Sequence, residues 1–250
     1  MDEVQYDVDG HIATIRLNRP EKLNAMTDDM YRAIADALLE ADANPEVRCS
    51  IVAGSGRAFT SGHDLAEFAG RSQWMPWRGE RFDNGLETAK PVIAAINGYC
   101  LAGGLELALY CDIRIADETA QFGCPEVRWA ILHGYGALRM PGLIGGSDAM
   151  RLLLTGAFID AQEALRIGLI SEVVTPSDLL PTARGIADQI AANGPIAIRM
   201  TKELARRGRD LPLADGLRIY QEYSRQAFAS DDASEGIRAF AERRDPEYGS

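Results

Sequence analysis

The 250-residue chain is poor in histidine and cysteine and contains no long apolar run. Its three histidines (His11, His63, His133) and four cysteines (Cys49, Cys100, Cys111, Cys124) are scattered, with no Cys-x-x-Cys pair. Structural and catalytic metal sites need closely spaced ligands of these types, so no metal is expected, and the cysteines read as reduced core residues. The longest apolar stretches, around Val92–Ile96 and Leu107–Tyr110, fall far short of the roughly 20 residues that carry a helix across hydrocarbon. The acidic start, Met1-Asp-Glu-Val, lacks the basic and apolar regions of a secretory signal, so a cytoplasmic protein without membrane contact is expected. Positive charge is also scarce: 26 Lys and Arg face 37 Asp and Glu, a net −11. Nucleic-acid binding needs a basic stripe to displace counterions and is disfavoured. A small polyanionic ligand is not excluded, because a few local cations and backbone N–H groups can hold phosphates.

What remains is an ordinary globular composition, 46% hydrophobic and 25% charged, in a length that suits one large domain or a domain with a helical appendage. Val4–Val8 and His11–Leu17 alternate about the turn dipeptide Asp9-Gly10, which predicts a hairpin. After a loop over 18–25, Thr27 caps a helix whose buried face is Met30, Ile34, Ala37, Leu38 and Ala41, stopped by Asn44-Pro45. Val47–Ala53 and Pro91–Ile96 read as buried strands, with shorter ones at Asp112–Ala116 and Ala120–Phe122. The polar stretch 64–90, with Trp74 and Trp77 around Pro76, is expected to be helical. From position 146 helical periodicity dominates: Ser147–Leu154, Ala161–Ile167, Leu179–Ala192, Ile196–Arg207, Leu213–Ala229 and a last helix capped near Ser230-Asp231. An α/β fold is expected, with a strand-and-helix part over 1–193 and an all-helical region over 194–250 that packs on the core or on a neighbouring subunit.

Three segments could carry chemistry. In Phe59-Thr-Ser-Gly-His-Asp-Leu65 a strand end feeds a helix, Gly62 permits close backbone approach, and Asp64 stands where a carboxylate favours a helix start. Taken alone this is a capped turn as readily as an anion site. In Asn97–Leu109, Gly103 and Gly104 open an apolar helix with Glu106 in its first turn. A carboxylate among apolar neighbours costs free energy unless it is paired, hydrogen-bonded or functional, although a charge at a helix start is a second reading. In Phe122-Gly-Cys-Pro-Glu-Val127, Pro125 suits a first helical position and Glu126 its first turn. Together, helix starts at His63 and Gly103 and two carboxylates twenty residues apart supply two candidate oxyanion donors and an acid–base pair. Those are the parts needed for chemistry alpha to a thioester carbonyl.

The three segments, in this order and separation, resemble the signature of the crotonase superfamily, the enoyl-CoA hydratase/isomerase family. Arg19–Ala25 resembles its coenzyme A loop, Gly156–Leu169 its helix-turn segment, and Ser230–Phe240 with Arg243–Pro246 its C-terminal helix. The resemblance implies a spiral of ββα units with a C-terminal helical trimerisation region, assembling as a homotrimer or homohexamer. It implies an oxyanion hole from the backbone N–H groups of His63 and Gly103, and catalysis by Glu106 and Glu126. Lys22, Asn24 and Ala25 would face the coenzyme A moiety. Ser61, Gly62, Asp64, Leu65, Tyr99 and Gly104 would stand beside the pantetheine and thioester, and Phe240 and Arg243 would complete the nucleotide site from a neighbouring subunit. The implied reaction adds water to a trans-2-enoyl-CoA, with no cofactor beyond the coenzyme A of the substrate. The alternatives are a Δ3-Δ2 enoyl-CoA isomerase, a thioester hydrolase, or a coenzyme A-binding protein without turnover. One departure stands out. Where hydratases carry a Pro-Gly-x-Gly-Gly-like stretch, this chain has Leu132-His-Gly-Tyr-Gly-Ala137, placing the polar His133 and Tyr135 at the implied acyl pocket. The Trp74–Trp77 segment would wall the same pocket.

Overall fold

The computed structural model describes residues 2–69 and 81–249. The chain begins as the expected hairpin, β1 (Val4–Asp9) pairing antiparallel with β2 (Ile12–Leu17). Helix α1 (Asp28–Ala43) follows, its first turn closed by Thr27, whose hydroxyl accepts from the Met30 N–H. Three strand pairs come next: β3 (Cys49–Gly54) with β4 (Ala58–Thr60), then, after α2 (Leu65–Phe68), β5 (Val92–Ile96) with β6 (Tyr99–Leu101), then, after α3 (Gly103–Tyr110), β7 (Ile113–Asp117) with β8 (Gln121–Gly123). The first strand of each pair joins one sheet and the second joins another. The six-stranded sheet therefore runs β1-β2-β3-β5-β7-β10, and the four-stranded sheet runs β4-β6-β8-β9. With a helix or helical turn after each pair, this is the ββα spiral that the resemblance implied.

A 3-10 turn (Pro125–Trp129), α4 (Gly134–Arg139) and α5 (Gly146–Thr155) lead to β9 (Phe158–Asp160), α6 (Ala161–Arg166), β10 (Glu172–Val174) and α7 (Leu179–Ala191). Alternation along the strands divides the core. Ile51, Ala53, Ile93, Ala95 and Ile115 face α7 and its Leu179, Ala183 and Ala187. Val52, Ala94, Ile96 and Ala116 face the opposite way, toward Met30, Ile34 and Leu38 of α1 and Phe59 and Phe122 of the second sheet. The central strand β5 is buried at every position, as a parallel strand covered on both faces must be.

One expectation needs correction. Within 64–90 only Leu65–Phe68 is helical among the described residues. Residues 81–90 form turns instead, because Gly85 takes φ +84° and the Arg81 N–H and Asn84 carbonyl close a tight bridge. Trp74 and Trp77 lie outside the described residues. The short strands β6, β9 and β10 have three residues each, too few for alternation to announce them.

The loop before α1 is built around Asn24. Its side chain is fully buried: Oδ1 accepts from the Arg19 N–H at 2.8 Å, and Nδ2 donates to the carbonyls of Ser55, Ala58 and Phe59 at 2.9, 2.7 and 3.2 Å. The last three helices, α8 (Pro195–Gly208), α9 (Leu213–Phe228) and α10 (Asp231–Glu242), begin with a polar anchor to the core. Asp112, just before β7, accepts from the Val92 N–H at 2.8 Å and pairs with Lys202 and Arg206 of α8, each at 2.9 Å. Two predictions follow from these joints, both read from urea unfolding. Asn24→Ala strands three buried carbonyls and lowers stability by about 2–4 kcal/mol. Asp112→Ala leaves the buried Lys202 ammonium without its carboxylate and costs about 3 kcal/mol.

Candidate active site

The two backbone turns singled out in the sequence meet in space. Met26 forms a parallel bridge with His63, its N–H donating to the Gly62 carbonyl at 2.7 Å and its carbonyl accepting from the Asp64 N–H at 2.9 Å. That bridge occupies the groups on one side of the strand, so alternation directs the His63 N–H to the other side. Gly62 adopts φ +96° and packs directly on the segment that opens α3. A β-carbon there would stand 2.6 Å from the Ala102 β-carbon and 3.1 Å from the Gly103 nitrogen. Gly103 is the first residue of α3, and its N–H has no acceptor within the helix. Ala102, before it, sits at φ +54°, ψ −128°, a conformation that costs an L-residue about 1–3 kcal/mol. Its N–H donates to the Gly123 carbonyl at 3.0 Å and its own carbonyl accepts from the Glu106 N–H at 3.2 Å, so bonds on both sides hold the strained residue.

The glycine pair is dictated by what lies behind it. A β-carbon on Gly103 would come within 2.2 Å of the Tyr31 hydroxyl, and one on Gly104 within 2.6 Å of the Thr60 methyl. The Tyr31 ring stacks on Phe82 at 5.1 Å, lies 4.7 Å from the His63 ring and carries the Arg81 guanidinium 3.8 Å over its face. Tyr31 therefore braces both turns. It was visible in the sequence only as one more residue of α1, although burial on that helix's apolar side was the available signal. The His63 imidazole stands 3.3 Å from Asp28, and burial together with Arg81 holds its pKa below the ordinary value. Asp28, His63 and Glu67 bring potential ligand atoms within 4.8 Å of one another, a grouping that linear spacing does not reveal. No metal was expected from spacing, and the trio is tied by its own contacts, the Asp28 N–H donating to Glu67 at 2.9 Å.

Glu106 and Glu126 also converge, with His133 between them. Glu106 lies one turn into α3 and is 9% exposed, and one of its oxygens accepts from the Tyr135 N–H at 2.9 Å. Burial pushes its pKa up to about 6, a direction that nearby Asp83 and Glu126 reinforce and His133 opposes. Glu126 projects from the 3-10 turn opened by Pro125, with one oxygen 2.6 Å from His133 Nδ1 and the other buried without a protein partner. The same Nδ1 is 3.9 Å from Glu106. The imidazole is 3% exposed and lies against Gly136, where a β-carbon would stand 2.0 Å from Nε2. Sequence reading placed His133 at an acyl pocket. The structure places it against both carboxylates, because α4 folds back across the start of α3.

Of the remaining expected contacts, those of the loop 19–26 and of segment 61–65 lie side by side. The loop 19–26 and segment 61–65 are stitched by the Ser61 N–H donating to Leu23 at 3.0 Å and by Arg19 pairing with Asp64 at 2.7 Å. Asp64 caps α2 through the Ala66 N–H, and Leu65 is 46% exposed. Lys22 is exposed, and Ala25 spends its N–H on the Lys22 carbonyl at 3.0 Å. Asn24 presents no side chain to a ligand, for the reasons given above. Tyr99, on β6, is half-buried, and Gly104 is packed on Thr60. Phe240 is 88% exposed at the end of α10.

Residues 7–250 match the enoyl-CoA hydratase/isomerase family. The chain is 40% identical, over 98% of its length and 99% of the relative's, to a probable enoyl-CoA hydratase of Mycobacterium leprae. It is 36% identical, over 98% and 96% of the two chains, to a short-chain-enoyl-CoA hydratase of Clostridium acetobutylicum. The crystal structure of an enoyl-CoA hydratase from Mycobacterium tuberculosis superimposes with a TM-score of 0.93 at 36% identity, covering 99% of this chain and 98% of that one. With the ββα spiral, the paired glycine turns and both glutamates in place, the chain belongs to the enoyl-CoA hydratase/isomerase family.

Proposed function

We propose that the protein is an enoyl-CoA hydratase in which the N–H groups of His63 and Gly103 hold the thioester oxygen and Glu106 and Glu126 move the protons. The observation that carries this reading is the convergence of the buried Glu106 and the partly buried Glu126 beside two turns whose backbones touch. Water bonds through its oxygen to the β-carbon and gives one proton to Glu106. The π electrons of the substrate move onto the thioester oxygen, where the two N–H groups stabilise the enolate. Glu126 orients the water and exchanges the proton at the α-carbon, and the carbonyl re-forms. Each such donor is worth about 3–4 kcal/mol in a desolvated site. No cofactor enters this reaction beyond the coenzyme A carried by the substrate.

The edge formed by residues 19–26 and 61–65 suits the coenzyme A moiety, with Lys22, Asn24 and Ala25 toward the nucleotide and Ser61, Gly62, Asp64 and Leu65 toward the thioester. A short or medium acyl chain fits the polar groups of α4. The exposed Leu213, Leu217, Tyr220, Phe228, Ile237 and Phe240 of the last two helices favour assembly through residues 194–250 as a homotrimer or homohexamer. Among the described residues no helix is long and apolar enough to cross a membrane. The four free, buried cysteines support action in the reducing cytoplasm.

Replacing Glu106 by Gln lowers the hydration rate of crotonyl-CoA by at least about a hundredfold while leaving binding of butyryl-CoA intact. Turnover equal to the parent protein's would refute the assignment. Because Glu106 must be ionised to take a proton and burial raises its pKa to about 6, the acid limb of kcat/KM falls as pH drops through 6. Oxygen from labelled water appears in the product of hydration and would be missing if the enzyme only moved a double bond.

A further inference from the structure

A histidine wedged between two active-site carboxylates changes their proton inventory. A pair of buried glutamates without such a neighbour must share one proton between them, since like charges at close range do not both ionise. Here the ring of His133 contacts Glu126 at 2.6 Å and stands 3.9 Å from Glu106, through the same nitrogen. The site is built to hold the ring there. Gly136 leaves the space its Nε2 edge occupies, and the imidazole is 3% exposed.

We propose that His133 is a positioning residue that stores, as an imidazolium lying between Glu106 and Glu126, the proton that Glu126 passes to the α-carbon. The proposal rests on the hydratase reading above. In the hydration direction the Nδ1 proton moves to Glu126, leaving neutral His133, and Glu126 then protonates the α-carbon of the enolate and returns to carboxylate. Glu106 meanwhile holds the proton released when water bonds to the β-carbon. Its transfer to Nδ1 restores the imidazolium and the Glu106 carboxylate, so the cycle closes with one water consumed and no other reactant. The second oxygen of Glu126 is buried with no protein partner, which leaves it to substrate or water.

Among the described residues, the groups facing this triad are few. Cys124 precedes the turn that carries Glu126, Asp83 and Glu106 act on one another, and the Tyr31 hydroxyl with Arg81 lies on the α1 side. Tyr135 and Arg139 belong to α4 itself, Arg139 lying 5.9 Å from the Tyr135 ring centre. Burial alone would lower the pKa of His133. Its interactions with Cys124 and Glu126 outweigh burial, and the net direction is upward. A raised histidine pKa means that the charged form persists through neutral pH and is lost only in alkaline solution.

The test compares His133→Gln with the parent enzyme in the pH dependence of kcat/KM for crotonyl-CoA, alongside histidine ring NMR. The chain has only three histidines, so the His133 signal is assigned by its disappearance in the variant. The parent's His133 should remain protonated at pH 8, and Glu126→Gln should bring its titration down to or below the ordinary histidine value of about 6.5. Without the imidazolium, Glu106 is harder to ionise and Glu126 must hold the proton itself. Both limbs of the rate profile should therefore move inward, each by at least about one pH unit. Gly136→Ala, which pushes the ring off Glu126, should narrow the profile in the same way with the histidine still present. A His133 that titrates at the ordinary histidine value of about 6.5, or a variant profile lower in height but unchanged in width, would overturn the proposal. Should Glu106→Gln and Glu126→Gln retain full hydration, the hydratase reading fails as well. Should they lose it while the His133→Gln profile keeps its width, only the proton store fails.

Discussion

Everything at this site depends on two stretches of backbone approaching more closely than side chains allow. Gly62 rests on the Leu101–Gly103 segment, Gly103 on the Tyr31 hydroxyl and Gly104 on Thr60, and at each a β-carbon would fall within 2.8 Å of its neighbour. The close approach aligns an unsatisfied helix N-terminus with the turn that precedes α2. It is maintained at a cost, most plainly in the conformation of Ala102, which bonds to β8 and to the first turn of α3 together sustain. Strain of this kind persists only where surrounding structure over-determines it.

The second constraint is electrostatic. Three ionisable side chains, Glu106, Glu126 and His133, are gathered where water is nearly excluded. Isolated charges there would be very expensive, and the arrangement reduces that cost by pairing. Glu126 gains the imidazole, Glu106 gains the Tyr135 N–H, and His133 touches both carboxyls. The balance leaves the pKa of Glu106 raised to about 6. Burial thus has a direct electrostatic effect: it raises the pKa of an ordinary carboxyl.

The scaffold explains how residues distant in the chain reach one place. Each ββα turn delivers one element to the site: the first the His63 turn, the second α3 with Gly103 and Glu106, the third the 3-10 turn with Glu126. Because β4, β6 and β8 are parallel neighbours in one sheet, the segments that follow them emerge side by side. Hydrogen bonding of the second sheet therefore brings three successive ββα units to one place.

The one-dimensional pattern was most informative where a local rule governs the outcome. Thr27 capping α1, the Asp9-Gly10 hairpin, Val92–Ile96 as a buried strand and Ser230 capping α10 each follow from a few neighbouring residues, and each stands as read. Glu106 stood out as a carboxylate in apolar company for the same reason. Local rules did not reach the three-residue strands, the turns over 81–90 or the ring of Tyr31 behind Gly103. Nor could they show that His133 would lie against Glu126. By itself the sequence determined which helices and long strands form and which residues carry unusual chemistry, since propensity, capping and periodicity act over a few positions. Only tertiary structure decided which of those residues meet and how their protons are shared, because contact across α3, α4 and the 3-10 turn depends on sheet pairing, and pKa values depend on the burial that pairing creates.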